Sequence, residues 1–276
     1  MGPVVASSWL HAAFLGLLQG LTEFLPVSSS GHLVLFQQFL EVGGDHVLFD
    51  LVLHLGTLLP VLFFYRADVR ELIVDPIAGE GPWLKRRGVR LLGLLVLASI
   101  PTAVIGLAFE DLFEALFARP SALAITFALT GFLLLSTRFT GKGSTTLAQM
   151  KPWQALVLGV AQGFAITPGI SRSGTTIAVA LALGLKREDA ARFSFLMSVP
   201  AISGAVLLKL KDADTAGLDP AALGIGFVAA LVSGYAALVL LVRLVKRGGF
   251  AWFAVYCWFA AAAALLIAVW RGSALG

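Results

Sequence analysis

Charged residues are scarce in this chain of 276 residues, of which only 13% are Asp, Glu, Lys or Arg. Soluble domains carry about 25% charged residues, whereas 58% of this chain is hydrophobic and its mean hydropathy is +0.91. Cysteine is almost absent, because Cys257 is the only one in the sequence. A disulfide framework is therefore excluded. These shortages exclude an ordinary soluble domain and predict a polytopic membrane protein.

The formal net charge of +4 does not indicate binding of nucleic acid. The basic residues are concentrated in short loops between apolar segments, where they set the orientation of a membrane protein. We therefore exclude nucleic acid as a partner and expect membrane lipid around the chain.

Six apolar segments are long enough to cross the roughly 30 Å of hydrocarbon in a bilayer. The predicted spans are Val47–Tyr65, Leu91–Phe109, Ser121–Thr137, Ala191–Leu208, Ala221–Val242 and Phe250–Trp270. Two more apolar segments, residues 9–40 and 153–185, are interrupted by a proline and a Ser/Gly loop, and each half is too short to span. We expect each to form a re-entrant helix hairpin. Charged loops are predicted at residues 66–90 and 110–119.

The two predicted hairpins carry copies of one motif. Leu15–His32 aligns with Leu158–Thr175 without a gap, at a constant offset of 143 residues and with seven identities in eighteen positions. Three spans separate the hairpins, so the second must enter the membrane from the opposite side. The sequence therefore predicts one all-α membrane domain over residues 1–276. It consists of two inverted-topology repeats, residues 1–147 and 148–276.

The distribution of basic residues predicts the orientation. The side opposite the N-terminus holds fifteen of the twenty Lys and Arg residues, the N-terminal side holds four, and Arg172 lies inside the second hairpin. The positive-inside rule assigns the richer side to the cytoplasm. Both termini are then predicted outside, and the two hairpin loops should meet near the midplane of the membrane.

Gln19 and Glu23 lie four residues apart, on one face of the helix that precedes the first break. A carboxylate inside a membrane is costly and marks a functional site, unless it reaches the interface. Carboxylate and amide oxygens suit Mg²⁺ or Ca²⁺ and do not suit zinc. The pair therefore predicts a site for a divalent cation, with a general-base role for Glu23 as the alternative.

Three hydroxyls and an imidazole follow the first break, at Ser28, Ser29, Ser30 and His32. A helix N-terminus presents backbone N–H groups and a positive dipole end, which together favour an anion. Helix capping explains one serine, but it does not explain three serines before Gly-His. A hydroxyl within reach of His32 would form a nucleophile–base pair.

Arg172 lies in the second loop, beside the hydroxyls of Ser171, Ser173 and Thr176. A guanidinium inside a helix bundle needs a compensating anion, and its planar geometry suits phosphate or carboxylate. Two partners remain open: a phosphate group of a substrate, or Glu23 in an internal salt bridge. In the second case neither residue needs to contact substrate.

Asp50 and His54 form another pair spaced by four residues, on the first predicted span. We interpret this pair as part of a hydrogen bond between helices. It is not among the expected catalytic groups.

Together these groups predict a site for phosphate or pyrophosphate inside the membrane. Chemistry there would need charge neutralisation by Arg and a divalent metal, together with a nucleophile and a proton acceptor. A hydrolase of lipid phosphate or pyrophosphate is the first hypothesis. The alternative is an inverted-repeat secondary transporter or flippase for an anionic or lipid-phosphate substrate.

The motifs resemble those of the bacterial undecaprenyl-pyrophosphate phosphatase (bacitracin-resistance) family. They are Gln19-x-x-x-Glu23, Pro-Val-Ser-Ser-Ser-Gly-His at 26–32 and Pro-Gly-Ile-Ser-Arg-Ser-Gly-Thr-Thr at 168–176. The resemblance covers essentially the whole chain. It implies a protein of the bacterial inner membrane that hydrolyses undecaprenyl pyrophosphate to undecaprenyl phosphate and inorganic phosphate. Such hydrolysis recycles the lipid carrier of cell-wall sugars and confers resistance to bacitracin.

The resemblance also implies dependence on a divalent cation, Mg²⁺ or Ca²⁺, and an active site that opens to the outer face of the membrane. It leaves a homodimer open. The first motif of the family allows Glu or Gln at its first position, and this chain has Gln19 there. Glu23 is therefore the only carboxylate in that motif, which disfavours any mechanism that needs two.

A second class of membrane phosphatase, the phosphatidic-acid type, shares the Ser-Gly-His and Ser-Arg elements. That class also needs a His about six residues after its Arg and an Asp further on. Here the residues after Arg172 include no His and no Asp before Asp189, so we exclude this class.

The mechanism expected from the motifs assigns each group a role. Arg172 and the hydroxyls of both loops bind phosphate oxygens, and Glu23 and the amide of Gln19 bind the cation. Ser29 attacks the terminal phosphorus, and His32 accepts and donates the proton. Ser28 and a metal-bound water remain alternative nucleophiles.

Overall fold

A computed structural model of the chain describes residues 9–40, 47–117, 119–211, 219–270 and 272. The described residues form twelve α-helices, and their only β pairing is an isolated bridge between Thr145 and Leu185. The predicted all-α fold is confirmed. Both chain ends, whose outward location is predicted from the basic residues, lie outside the described ranges.

The twelve helices range in length from 8 to 28 residues. In chain order they are α1 Trp9–Phe24, α2 Ser29–Phe39, α3 Val47–Phe64, α4 Arg66–Ala78, α5 Arg87–Ala108, α6 Glu110–Phe117, α7 Pro120–Ser136, α8 Pro152–Phe164, α9 Arg172–Ala182, α10 Arg187–Lys209, α11 Pro220–Arg247 and α12 Phe253–Trp270.

Six helical segments in the described residues are long and apolar enough to cross a membrane. They contain α3, α5, α7, α10, α11 and α12, and they coincide with the six predicted spans. The prediction of a polytopic membrane protein is thus confirmed. Helix α11 is the longest of the described helices: its 28 residues extend about 42 Å at 1.5 Å per residue, which exceeds the roughly 30 Å of hydrocarbon in a bilayer.

The prediction of loops at residues 66–90 and 110–119 is wrong, because these segments contain α4 and α6. Helix α4 docks on α5, where the Asp75 carboxylate accepts a hydrogen bond from Gly88 N at 2.7 Å. A Cβ on Gly88 would lie 2.2 Å from Glu71 O, so the glycine permits the close approach. Charge and proline indicated a loop here, but a tertiary contact stabilises the helix.

Both proline-containing apolar segments are broken where the sequence predicts it. Helix α1 ends at Phe24 and α2 begins at Ser29, while α8 ends at Phe164 and α9 begins at Arg172. The two helices of each pair pack against each other. Their re-entry into the membrane from opposite sides, and the inverted relation of the repeats, stay predictions.

Small residues hold α1 tightly against α11. A Cβ on Gly20 would lie 2.0 Å from Ser233 Oγ and 2.5 Å from Ala230 O, and one on Gly16 would lie 2.3 Å from Gly226 O. Small residues let helix backbones approach closely in membrane proteins. This contact buries Gly16 and Gly20 and holds α1, the helix that carries Gln19 and Glu23, against α11.

A methyl group at Gly20 should therefore destabilise the protein. We expect Gly20→Ala to lower the free energy of unfolding by about 1–3 kcal/mol, because the contact with α11 has no room for it. Thermal unfolding in detergent would show this as a lower midpoint. Gly93→Ala on α5 is the matched control, since a Cβ there meets nothing within 4 Å. Equal midpoints for the two variants would contradict the packing argument.

Candidate active site at the two helix breaks

Ser28 shapes the first break. It is the N-cap of α2, its Oγ accepts a hydrogen bond from Gly31 N at 3.4 Å, and its φ is 66°. No other non-glycine residue in the described ranges has a positive φ. Such strained backbone persists where the surroundings impose it, and it is concentrated at functional sites. The turn directs the next residue, Ser29, back towards α1.

Glu23 is the centre of a buried polar cluster and is only 7% exposed. Its Oε2 accepts hydrogen bonds from Ser29 Oγ at 2.6 Å and from Gln19 Nε2 at 2.9 Å. Its Oε1 accepts one from Arg172 Nη2 at 2.8 Å. His54 Nε2 lies 3.8 Å from Oε2. Three donors, one of them a cation, compensate the buried charge of the carboxylate.

The bond between Arg172 and Glu23 joins the two breaks across 149 residues of sequence. Arg172 is the first residue of α9, and its side chain is 16% exposed. The internal salt bridge considered from the sequence is therefore present. The salt bridge uses only the Nη2 end of the guanidinium. The other end, Arg172 Nη1, is buried without a hydrogen-bond partner in the described part of the chain. The residue thus keeps a donor for a further anion.

Helix α7 supports the second break. Thr130 Oγ1 donates to Gly169 O at 2.9 Å and accepts from Ser171 N at 3.2 Å. Gly169 has a φ of 85°, which glycine adopts without strain. Ser171 caps α9, since its Oγ accepts from Gly174 N at 3.0 Å. These bonds satisfy the backbone of a loop inside the bundle and thereby position Arg172.

The remaining predicted phosphate ligands lie near the two breaks but are bonded elsewhere. Ser173 Oγ lies 3.5 Å from Leu25 O, and Thr176 Oγ1 donates to Arg172 O at 2.8 Å. Thr176 is fully buried and also bonds Ser194 Oγ at 2.5 Å. Ser30 Oγ lies 3.4 Å from the hydroxyl of its neighbour Ser28. Their contact with a phosphate stays a prediction.

His32 occupies the first turn of α2 and is 4% exposed. Its Nδ1 lies 2.7 Å from Ser28 O, and its Nε2 lies 2.8 Å from the hydroxyl of Tyr256. Both ring nitrogens therefore have partners other than Ser29, whose hydroxyl faces Glu23. In this geometry the candidate nucleophile Ser29 is hydrogen-bonded to Glu23 as its base, and not to His32.

Sequence reasoning did not place His54 and Tyr256 at the site. The predicted interhelical bond of Asp50 is present, because Gln37 Nε2 on α2 donates to Asp50 Oδ1 at 2.7 Å. His54 lies one turn further along α3, with its Nε2 3.8 Å from Glu23 Oε2. Its spacing of four residues from Asp50 was the only sequence signal that placed it on the inward face of α3. Tyr256 lies 224 residues from His32, and no local motif identifies it.

The residues at the first break fit a divalent cation that binds together with phosphate. Gln19 Oε1 is buried and has no hydrogen-bond partner in the described ranges. No group of three or more His, Cys, Asp or Glu in the described residues could hold a metal. Mg²⁺ typically takes one or two carboxylates and obtains its other ligands from water and substrate phosphates. One Glu23 carboxylate oxygen and the Gln19 amide oxygen match that pattern.

A carboxylate–guanidinium pair is buried between two helix breaks, inside a bundle with six candidate spans, which is the architecture of an integral membrane protein. Comparison with known proteins identifies the family. The model of the bacitracin resistance protein BacA family matches residues 12–263. The chain belongs to this family, and the resemblance noted in the motifs is confirmed.

Curated relatives agree over nearly their full length. The chain is 45% identical over 253 residues to an undecaprenyl-diphosphatase of Carboxydothermus hydrogenoformans, covering 90% of this chain and 93% of that protein. It is 46% identical over 254 residues to an undecaprenyl-diphosphatase of Syntrophotalea carbinolica, covering 91% and 95%. A third relative of the same name, from Halothermothrix orenii, is 43% identical and covers 92% and 96%.

Proposed function

We propose that this protein hydrolyses undecaprenyl pyrophosphate to undecaprenyl phosphate and inorganic phosphate at the Glu23–Arg172 cluster. One observation supports this most directly: Ser29 donates its hydroxyl hydrogen to Glu23, which is also bound to Arg172. A nucleophile, a proton acceptor and a phosphate-binding cation are thus within one buried cluster. The relatives named undecaprenyl-diphosphatase support the substrate. They do not favour the transporter or flippase alternative.

Arg172 binds the terminal phosphate in this proposal. Its free Nη1 provides the first contact, and the phosphate then competes with Glu23 for the bonded end of the guanidinium. A guanidinium favours such paired contacts with phosphate oxygens. The N-termini of α2 and α9 add backbone N–H groups and dipole ends of suitable sign. The hydroxyls proposed to complete the phosphate site are those of Ser28, Ser30, Ser171, Ser173 and Thr176.

Ser29 is the proposed nucleophile. Its Oγ attacks the terminal phosphorus, the bond to the bridging oxygen breaks, and undecaprenyl phosphate leaves with the electron pair. The hydroxyl proton passes to Glu23, which is released from Arg172 when the phosphate binds there. An activated hydroxyl beside a base is the usual arrangement for covalent catalysis.

Hydrolysis of the phosphoserine completes the cycle. Water attacks the phosphorus, the bond to Ser29 Oγ breaks, and the proton held by Glu23 returns to Ser29. One hydrogen of the water stays on inorganic phosphate, and His32 accepts the other as a proton and then releases it to solvent. This step keeps the proton-handling role predicted for His32 from the sequence.

We also propose that Gln19 and Glu23 Oε1, the carboxylate oxygen that does not bond Ser29, would hold Mg²⁺ or Ca²⁺ beside the pyrophosphate. When bound, the cation would neutralise charge on the phosphate oxygens. The buried, unpartnered Oε1 of Gln19 supports this assignment.

Phosphate release from undecaprenyl pyrophosphate by purified protein in detergent tests the function. No compartments exist in that assay, so a transporter would release nothing. We expect release that stops with a chelator, and a loss of about 100-fold or more in Arg172→Ala, because one charged donor to the transition state typically contributes that much. Arg138→Ala, at an exposed position, is the matched control. Uptake into vesicles without phosphate release would contradict the proposal.

The nucleophile is tested separately. Ser29→Ala should lose about as much activity as Arg172→Ala, because no covalent intermediate can form. Ser99→Ala is the control, since Ser99 Oγ bonds only the Leu95 carbonyl of its own helix. In His32→Ala, hydrolysis of the phosphoserine should be slow, so rapid quenching with labelled substrate should trap phosphate on Ser29. Full activity of Ser29→Ala would exclude Ser29 as the nucleophile and leave Ser28 or water.

We propose a location in the bacterial plasma membrane, with the site open to the outer face and both termini outside. The six apolar helices support a multi-pass membrane protein, and the basic residues support the orientation. In a Cys257→Ala background, an impermeant maleimide should label Lys211→Cys in intact cells. It should label Lys142→Cys only after the cells are opened. The reverse pattern would contradict the orientation.

A further inference from the structure

Three residues, Ser28, Tyr256 and Phe127, contact the ring of His32. Ser28 O lies 2.7 Å from Nδ1, and Tyr256 Oη lies 2.8 Å from Nε2. The ring of Tyr256 is nearly parallel to the imidazole, with an angle of 15° between the planes and 5.7 Å between the centroids. Phe127 meets the imidazole edge-on, at 5.3 Å and 81°. His32 therefore has one orientation in the bundle.

The hydrogen bond to Ser28 selects one tautomer of His32. A backbone carbonyl can only accept, so Nδ1 must carry a hydrogen towards Ser28 O. In the neutral ring Nε2 then has one lone pair, and the Tyr256 hydroxyl donates to it. When a proton arrives at Nε2, the hydroxyl turns its hydrogen away, and its oxygen then accepts from the new Nε2–H. Tyr256 therefore suits both protonation states, and the ring does not have to move.

Tyr256 reaches His32 from a distant part of the chain. It lies near the start of α12, and α12 packs on α7, the helix that supplies Phe127. The next residue, Cys257, lies with its Sγ 3.5 Å from Pro26 O at the first break. Tyr256 itself is 46% exposed, so burial of its ring does not explain its presence. Helix α12 thus places a hydroxyl beside the break that carries Ser29.

We propose that Tyr256 is a positioning residue of the reaction: its hydroxyl holds the His32 imidazole in the orientation in which Nε2 takes up a proton. The proposal rests on the phosphatase function. Tyr256 contacts His32 and acts through it, as groups that orient a catalytic histidine do.

Tyr256→Phe removes the hydroxyl and keeps the ring that stacks on His32. We expect kcat to fall about tenfold with KM changed by less than about twofold, as loss of one hydrogen bond that matters in the transition state would give. Tyr235→Phe is the matched control: Tyr235 is 40% exposed on α11, and its ring meets Phe63 and not the site. It should keep the kcat of the unaltered protein.

A double-mutant cycle separates positioning from structure. Because Tyr256 acts through His32, Tyr256→Phe should have no further effect on kcat when His32 is already Ala. A structural or lipid-contact role would lower kcat by the same factor in both backgrounds and would overturn the proposal. So would a loss in Tyr256→Phe that disappears when the assay is run well below its unfolding midpoint.

The same assays distinguish failure of the proposed phosphatase function from failure of the proposed role of Tyr256. An unaltered protein that releases no phosphate refutes the proposed function itself. An active protein with an equally active Tyr256→Phe variant refutes only the role of Tyr256. Activity that falls as predicted, with the effect absent in His32→Ala, supports both.

Discussion

The burial of one carboxylate is the constraint on which the rest of this structure depends. Glu23 is 7% exposed within a bundle of apolar helices, where an unpaired charge would cost several kcal/mol. Breaking such a buried pair typically costs about 3–5 kcal/mol. The cation that compensates Glu23 comes from Arg172, at the other helix break. Neither break supplies the opposite charge for its own ionised residue, so the fold must bring the two breaks together.

The breaks impose a second requirement, because backbone groups freed at a helix end inside an apolar bundle must find partners. The hydroxyls of Ser28 and Ser171 accept hydrogen bonds from backbone N–H groups at the starts of α2 and α9. Thr130, on α7, donates a hydrogen bond to a backbone carbonyl of the second loop. The same residues that solve this backbone problem create the site. Helix N-termini, hydroxyls and a guanidinium are what a phosphate group binds.

The six spans, the two breaks and several members of the Glu23 cluster could be predicted from the sequence, because each leaves a local signal. Long apolar runs indicated the spans, and prolines indicated the breaks. The cost of a guanidinium inside a bundle left two partners for Arg172, one of which was Glu23. Helix α4 was missed because its stability depends on Gly88 in another helix. The Ser29–Glu23 bond and the Tyr256–His32 bond were missed for a related reason. Both depend on how the chain packs, and neither spacing nor composition encodes that.

The central claim is that pyrophosphate takes the place of Glu23 at Arg172. The most direct measurement is the affinity of a non-hydrolysable methylene analogue of undecaprenyl pyrophosphate, titrated in detergent with chelator present. Glu23→Gln keeps the shape of the side chain and removes the competing charge. The account predicts that this variant binds the analogue roughly tenfold more tightly than the unaltered protein, a change of about 1.4 kcal/mol. Equal or weaker binding by Glu23→Gln would contradict it.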